Sequence, residues 1–314
     1  MYKSKIITIV VPCFNEERQI IKVLNGIPEY IDQVIVIDDH STDETNRIVK
    51  EYLCFDKRVH LIQHNRNLGT GAAVITGYKW AIRNSADIVI VMDGDGQMNP
   101  DNLPLMLDPL VNGRADYTKA NRLASGNAYR VIPKLRYFGN SILSFLTKIA
   151  SGYWHITDSQ SGFSAIRVDM LKKLDLDKVY PRYGYPNDLL VKLNVQDARV
   201  MGIEQEPVYN VGESSNLNIF KAVFCISLLL CRLFFYRMKE KYIIRDFHPL
   251  VIFYYVGILL WLVSIPLLVR LLYIWIKFSH IPKVNFLSWM FAVILFIQFF
   301  VFGMWFDMQN NRNQ

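Results

Sequence analysis

Only four cysteines, Cys13, Cys54, Cys225 and Cys231, occur in this 314-residue chain, and none sits at a metal-binding or redox spacing from another. That excludes a disulfide scaffold, a zinc ribbon and a Cys-x-x-Cys oxidoreductase; the thiols fit a reducing compartment and read as packing residues. A glycine-rich loop ending in Lys-Ser/Thr is missing too, which rules out a P-loop nucleotidase. The dinucleotide fingerprint also fails. "GTGAAV" offers Gly69 and Gly71 but has Val74 where a third glycine belongs, and it opens the third strand–helix unit instead of the first. No secretory signal is expected, because the apolar run "IITIVV" near the start is too short. Acidic residues are in deficit: 28 Asp and Glu face 35 Lys and Arg, a formal charge of +7.

What is present divides the chain sharply. Residues 250–276 and 284–306 are long apolar runs, and about 20 such residues suffice to cross a bilayer. Arg270 lies near the end of the first run, where its side chain can snorkel to the interface, and Pro266 is tolerable as a kink. The linker "KFSHIPK" allows only a hairpin. Arg232, Arg237, Lys239, Lys241 and Arg245 precede the first run, against Lys277 and Lys283 in the linker. The positive-inside rule therefore places the N-terminal domain in the cytoplasm. These basic residues are either a plain solvated helix face or a surface for anionic membrane lipid. Residues 218–236, apolar but flanked by charge, fit an interfacial helix or a third span. The expected division is a catalytic domain over 1–215, juxtamembrane amphipathic helices over 216–247 and two transmembrane helices over 248–308.

The N-terminal part alternates strand and helix. "KIITIVVP", "QVIVIDD", "RVHLIQH" and "DIVIVMD" predict four strands, with helices over about 15–30, 41–53 and 69–85 between them. Ser41 and Glu44 have the spacing of a capping box for the second helix. Strands apolar throughout imply a mainly parallel α/β sheet covered on both faces, with ligands off the carboxyl ends of the strands. Those ends carry Pro12 to Glu16, Asp38–Asp39, His64 to Asn67 and Asp93 to Gln97. In "VMDGDGQMNP" the oxygen-bearing residues Asp93, Asp95 and Gln97 are spaced by two. An extended segment would put all three on one face, as a hard divalent cation requires; Asp and Gly are equally ordinary turn residues. Gly69 and Gly71 either admit a phosphate close to a helix start or simply serve helix entry.

Four motifs in order, "VPCFNEE", "VIDDHSTDET", "NRNLGTGAAVITG" and "VMDGDGQMNP", resemble the inverting family 2 glycosyltransferases of GT-A fold. "DSQSGFSAIR" and the C-terminal hairpin narrow the likeness to the polyprenyl-phosphate glycosyltransferases. The resemblance covers residues 5–215 closely and the membrane part only in kind. It implies that Pro12, Phe14 (where relatives often carry Tyr) and Glu16 frame the nucleotide base, and that Asp38 and Asp39 hold base or ribose. Asp93 would contact the ribose, while Asp95 and Gln97 would ligate Mg2+ or Mn2+ on the diphosphate. Arg122 and Arg136 would meet phosphates, Asp158 would belong to the acceptor-side motif, and Asp188 would stand where the wider family carries its catalytic base. The segment "VYNVGESSN" lacks the arginine and the lysine that relatives often show there.

The expected reaction moves one hexose from a UDP- or GDP-sugar to a polyprenyl phosphate with inversion. An alternative acceptor is a saccharide hydroxyl, although the "QxxRW" motif of processive synthases is absent. A membrane-tethered nucleotide-binding scaffold without turnover is the reading of another class. No nucleic-acid partner is expected, and a homo-oligomer is compatible with the sequence.

Overall fold

The computed structural model describes residues 1–126, 128–132, 134–206 and 219–312. Seven strands, β1 (Ile7–Cys13), β2 (Gln33–Asp38), β3 (Val59–Gln63), β4 (Ile88–Val91), β5 (Tyr117–Asn121), β6 (Ser164–Arg167) and β7 (Val200–Glu204), form one sheet. Its order is β3-β2-β1-β4-β6-β5-β7, and only β6 runs antiparallel to its neighbours. The helices are α1 (Ile20–Asn25), α2 (Thr45–Tyr52), α3 (Thr70–Arg83), α4 (Leu103–Val111), α5 (Ala128–Val131), α6 (Lys134–Ser151), α7 (Val168–Leu171) and α8 (Tyr185–Val195). After them come α9 (Ile219–Lys239), α10 (Leu250–Phe278) and α11 (Lys283–Asn310).

Alternation along the strands explains the layering. In β1, Val10 joins a core with α3 and α8 through Val74, Tyr78 and Leu190, while Ile9 and Val11 join a second core with Ile20, Leu103 and Leu107. Successive side chains point to opposite faces, so a strand buried on both sides must be apolar at every position. β1 pairs with β2 on one side and β4 on the other. Connections leave in opposite directions there, and the crevice at that switch point is where such sheets bind ligands.

Several local expectations are corrected. β3 is an edge strand: Val59 is buried, but His60 and Gln63 are exposed. The first helix is only Ile20–Asn25, because Asn15 takes a left-handed φ of 59° and the chain turns through Glu16 to Gln19. The capping box does not form. The Ser41 hydroxyl accepts from the Asn15 N–H at 3.0 Å, and Glu44 at the start of α2 makes no side-chain cap. Of the cysteines only Cys13 is buried, so packing explains one and not the other three.

The chain divides into two compact units, Met1–Phe234 and a second beginning at Phe235. The boundary expected at residue 215 and the segment "VYNVGESSN" lie outside the described residues. Within the second unit α10 and α11 form a hairpin; among the described residues they are the two helices long and apolar enough to cross a membrane. At about 1.5 Å per residue, α10 and α11 both exceed the roughly 30 Å hydrocarbon core. Their outward apolar side chains, among them Leu259, Val269 and Phe291, are exposed in the protein alone.

Candidate active site

The site is built from the ends of β1, β2 and β4. Register sets Cys13 beside Asp38, and the Pro12 carbonyl accepts from the Gly94 N–H at 3.1 Å, tying the exit of β1 to the turn after β4. The loop from Phe14 to Glu16 is stapled to the next one. The Thr42 N–H donates to Asn15 Oδ1 at 2.8 Å, and the Glu16 N–H to Thr45 Oγ1 at 2.8 Å. Phe14 stands out from this loop with 43% of its surface exposed, available to stack on a planar ring.

Asp93, Asp95 and Gln97 do not continue the strand. β4 ends at Val91, Gly96 takes a φ of 75°, and the Gln97 N–H donates to Asp95 Oδ1 at 3.0 Å. The segment is a turn, so the one-face argument from an extended chain fails. The acidic character survives in another form. Glu16 is pushed up to about 7, first by burial and then by the nearby charges of Asp95 and Asp43. Asp93 is pushed up to about 8 by burial, then by Asp95 and Glu16, with Arg122 and Lys119 opposing. Asp93 Oδ1 is sealed from solvent with no hydrogen-bond partner. Buried carboxylate oxygens without a donor are costly, and this cluster calls for a cation or a hydroxyl donor. Among the described residues no three His, Cys, Asp or Glu side chains converge to hold a metal by themselves. A metal at Asp95 and Gln97 would take its remaining ligand oxygens from outside these side chains, from water or a bound phosphate group.

Asp38 and Asp39 are buried and occupied by the protein's own loops. Asp38 accepts from the Ser41 N–H at 2.9 Å and from Asn46 Nδ2 at 2.8 Å. Asp39 accepts from His64 Nδ1 at 2.7 Å and from the Leu68 and Gly69 N–H groups at 2.9 and 2.7 Å. With 0% and 3% exposure, they brace the walls of the crevice through these bonds. Gly69 and Gly71 face protein as well. A Cβ on Gly69, whose φ is 99°, would meet the Pro181 carbonyl at 2.7 Å, and one on Gly71 would meet the Tyr180 carbonyl at 2.5 Å. Both glycines admit the Tyr180–Pro181 stretch, and the Ala72 N–H donates to the Pro181 carbonyl at 2.9 Å.

On the other side of β4, Arg122 leaves the end of β5 and is oriented by Asp158. Its Nε donates to Asp158 Oδ2 at 2.8 Å, its Nη2 to Oδ1 at 3.3 Å, and its backbone N–H to Oδ2 at 3.1 Å. Burial alone would raise Asp158, but Arg122 and Lys119 hold it below the usual carboxylate range. Arg122 remains 24% exposed and Asp158 wholly buried. Arg136 lies in the first turn of α6, its side chain outside the described residues.

Asp188 is not poised as a base. It is 2% exposed; its Oδ2 accepts from the Tyr180 N–H at 2.6 Å, and its Oδ1 pairs with Lys192. It braces the same Tyr180–Pro181 stretch that receives Gly69 and Gly71. One residue escaped sequence reasoning. Lys119 on β5 is buried, donates from Nζ to the Ser161 carbonyl, and is lowered to about 8 chiefly by burial, with Asp158 and Asp93 nearby. Its signal was a lone lysine inside the strand "YTKAN".

Residues 8–175 match the family described as glycosyl transferase family 2. The chain belongs to that family. This family 2 glycosyltransferase is 32% identical over 245 residues to the UDP-N-acetylglucosamine–dolichyl-phosphate N-acetylglucosaminyltransferase of Methanococcus voltae, covering 72% of this chain and 96% of that protein. It is 27% identical over 228 residues to the polyprenol monophosphomannose synthase of Mycolicibacterium smegmatis, covering 70% and 84%. Among solved structures, glucosyl-3-phosphoglycerate synthase of Mycobacterium tuberculosis with Mn2+, UDP and glucosyl-3-phosphoglycerate superimposes with a TM-score of 0.55 at 20% identity, covering 74% and 80%. At that identity the likeness establishes the GT-A-like fold of the glycosyltransferase and no more.

Proposed function

We propose that the enzyme transfers one hexose from a UDP- or GDP-sugar to a polyprenyl phosphate, with inversion, at the cytoplasmic face of a membrane that α10 and α11 span as a hairpin. Residues 1–215 would be catalytic and 216–247 juxtamembrane. The relatives named for dolichyl- and polyprenol-phosphate transfer support the acceptor class.

The observation that carries this reading is the contrast between Arg122 and Asp188. A saccharide hydroxyl must lose a proton during attack and needs a positioned general base. Asp188, the base that the family resemblance suggests, is ion-paired and buried. A phosphate monoester is already anionic at neutral pH; it needs a cation that places it and offsets repulsion from the donor diphosphate. Arg122, fixed by Asp158 yet partly exposed, meets that need.

On the donor side Phe14 would stack on the base, Pro12 and Glu16 would shape its pocket, and Asp93 would take the ribose through its unpaired Oδ1. Asp95 and Gln97 would hold Mg2+ or Mn2+, which when bound supplies positive charge to the leaving diphosphate. At an effective dielectric near 20, one unit charge about 4 Å away contributes roughly 4 kcal/mol, on the order of 10³ in rate. The remaining task of the chain is to hold the acceptor phosphate in line with the anomeric carbon and keep water out. The test incubates membranes containing the enzyme with radiolabelled UDP- and GDP-sugars. Label should become lipid-extractable and be released by mild acid; label recovered only in an acid-stable saccharide would refute the phosphate acceptor.

A further inference from the structure

Helix α6 carries a surface that the proposed reaction does not use. Its inner face is well packed: Leu143, Ser144 and Thr147 are buried, and Thr147 Oγ1 donates to Asn187 Oδ1 at 3.0 Å on α8. Its outer face presents Phe138, Ile142 and Phe145, which are 56%, 54% and 52% exposed. Spacings of four and three residues put these three on one helical stripe. Isolated exposed apolar residues are ordinary, but an aligned stripe of large ones marks a contact surface.

The surroundings say what the stripe meets. From Tyr117 to Thr157 the chain has no acidic residue and six basic ones, of which Arg130, Lys134, Arg136 and Lys148 lie on α5 and α6. Tyr129 and Tyr137 pack edge-to-face at 5.5 Å beside the stripe, and amphipathic aromatics of this kind favour the headgroup level of a bilayer. A helix with an apolar face, basic flanks and no acid has the makeup of an interfacial membrane helix. The same chain carries two helices able to cross a bilayer, so a membrane is always within reach.

We infer that α6 is an anionic-membrane docking helix that seats Phe138, Ile142 and Phe145 in the interface of the leaflet. The inference holds whichever acceptor the enzyme uses. Wetting of the stripe is relieved, and Arg130 and Lys134 meet lipid phosphates. Because Arg122 directly follows β5 and comes only a few residues before α5, a docked α6 also keeps the acceptor side of the site at the lipid surface.

The test uses the full chain with Cys54, Cys225 and Cys231 replaced by Ser and one new cysteine at a time, Phe138→Cys, Ile142→Cys or Phe145→Cys. Leu105→Cys on α4, also exposed, is the comparison position. Each is labelled with an environment-sensitive fluorophore and reconstituted into phosphatidylcholine vesicles with or without phosphatidylglycerol. Circular dichroism confirms folding, and three positions guard against the failure of one. Spin-labelled lipid should quench the α6 labels severalfold more than the label at 105, and more with phosphatidylglycerol present. Quenching by aqueous iodide but not by lipid would overturn the inference. So would protection from both quenchers, which would mean that protein, such as a second copy, covers the stripe. The readout does not depend on turnover, so failure here is distinct from failure of the proposed reaction.

Discussion

Gly162 lies directly against the carboxylate of Asp93: a Cβ at position 162 would stand 2.8 Å from Asp93 Oδ2 and 3.4 Å from Oδ1. The glycine is the space in which this carboxylate sits. Lys119 holds the neighbouring Ser161 carbonyl, so one buried lysine on β5 fixes the turn that seats Asp93.

Gly162→Ala should therefore displace Asp93 while leaving the sheet intact. A displacement near 1 Å in a binding group costs on the order of 10²-fold in turnover. Steady-state kinetics should show that loss in kcat/KM for the sugar nucleotide, with an unchanged far-ultraviolet circular dichroism spectrum. Wild-type kinetics would show that Asp93 does not hold the donor.

Asp95→Asn should nearly abolish transfer, and EDTA should inactivate the wild-type enzyme with recovery on adding Mg2+ or Mn2+. Activity indifferent to EDTA would remove the metal from the site.

Arg122→Ala should cut turnover severely and raise the acceptor requirement, whereas Asp188→Asn should act mainly on stability. Removing the charge of a buried, hydrogen-bonded carboxylate that braces Tyr180 and pairs with Lys192 should cost about 1–3 kcal/mol. Thermal melts and acceptor titrations of the two variants separate these effects. A stable but inactive Asp188→Asn beside a nearly normal Arg122→Ala would reverse the assignment.

The raised carboxyls of Glu16 and Asp93, at about 7 and about 8, imply a pH dependence of the metal-free protein. A carboxyl whose folded pKa exceeds its unfolded value near 4 binds more protons when folded. Stability should then be highest below about pH 4 for these two groups and fall as pH rises through 7 to 8. Added Mg2+ or Mn2+ should raise the melting temperature more at pH 8 than at pH 6. Equal shifts at both would argue against binding at this cluster.

In the second unit, Arg237 and Asp307 form a fully buried bidentate pair with both contacts at 2.8 Å, and Tyr242 and Asn311 also donate to Asp307. Arg237→Met should destabilise this unit by about 3–5 kcal/mol, because it strands a buried charge. Adding Asp307→Leu should recover much of that loss, read as detergent-solubilised melting temperature.

The linear chain by itself determined the parts whose physics is local. β1, β2 and β4 are legible because strands buried on both faces must be apolar throughout, and α10 and α11 because a bilayer demands a length of continuous apolar helix. The acidic turn Asp93–Gln97 and the family were legible from residue identity and order. Tertiary structure alone decided which polar groups are available to a ligand. Asp39 and Asp188 look like binding groups in the chain, but backbone N–H groups of Leu68, Gly69 and Tyr180 claim them. Gly69 and Gly71 read in the chain as a phosphate approach or a helix entry, and only the fold shows Tyr180 and Pro181 packed against them. Lys119 reaches Ser161 only because β6 runs antiparallel between β4 and β5. Arg237 and Asp307 meet across 70 residues. Periodicity reports which way a side chain faces relative to its own element, whereas a hydrogen-bond partner is set by what folding brings opposite it.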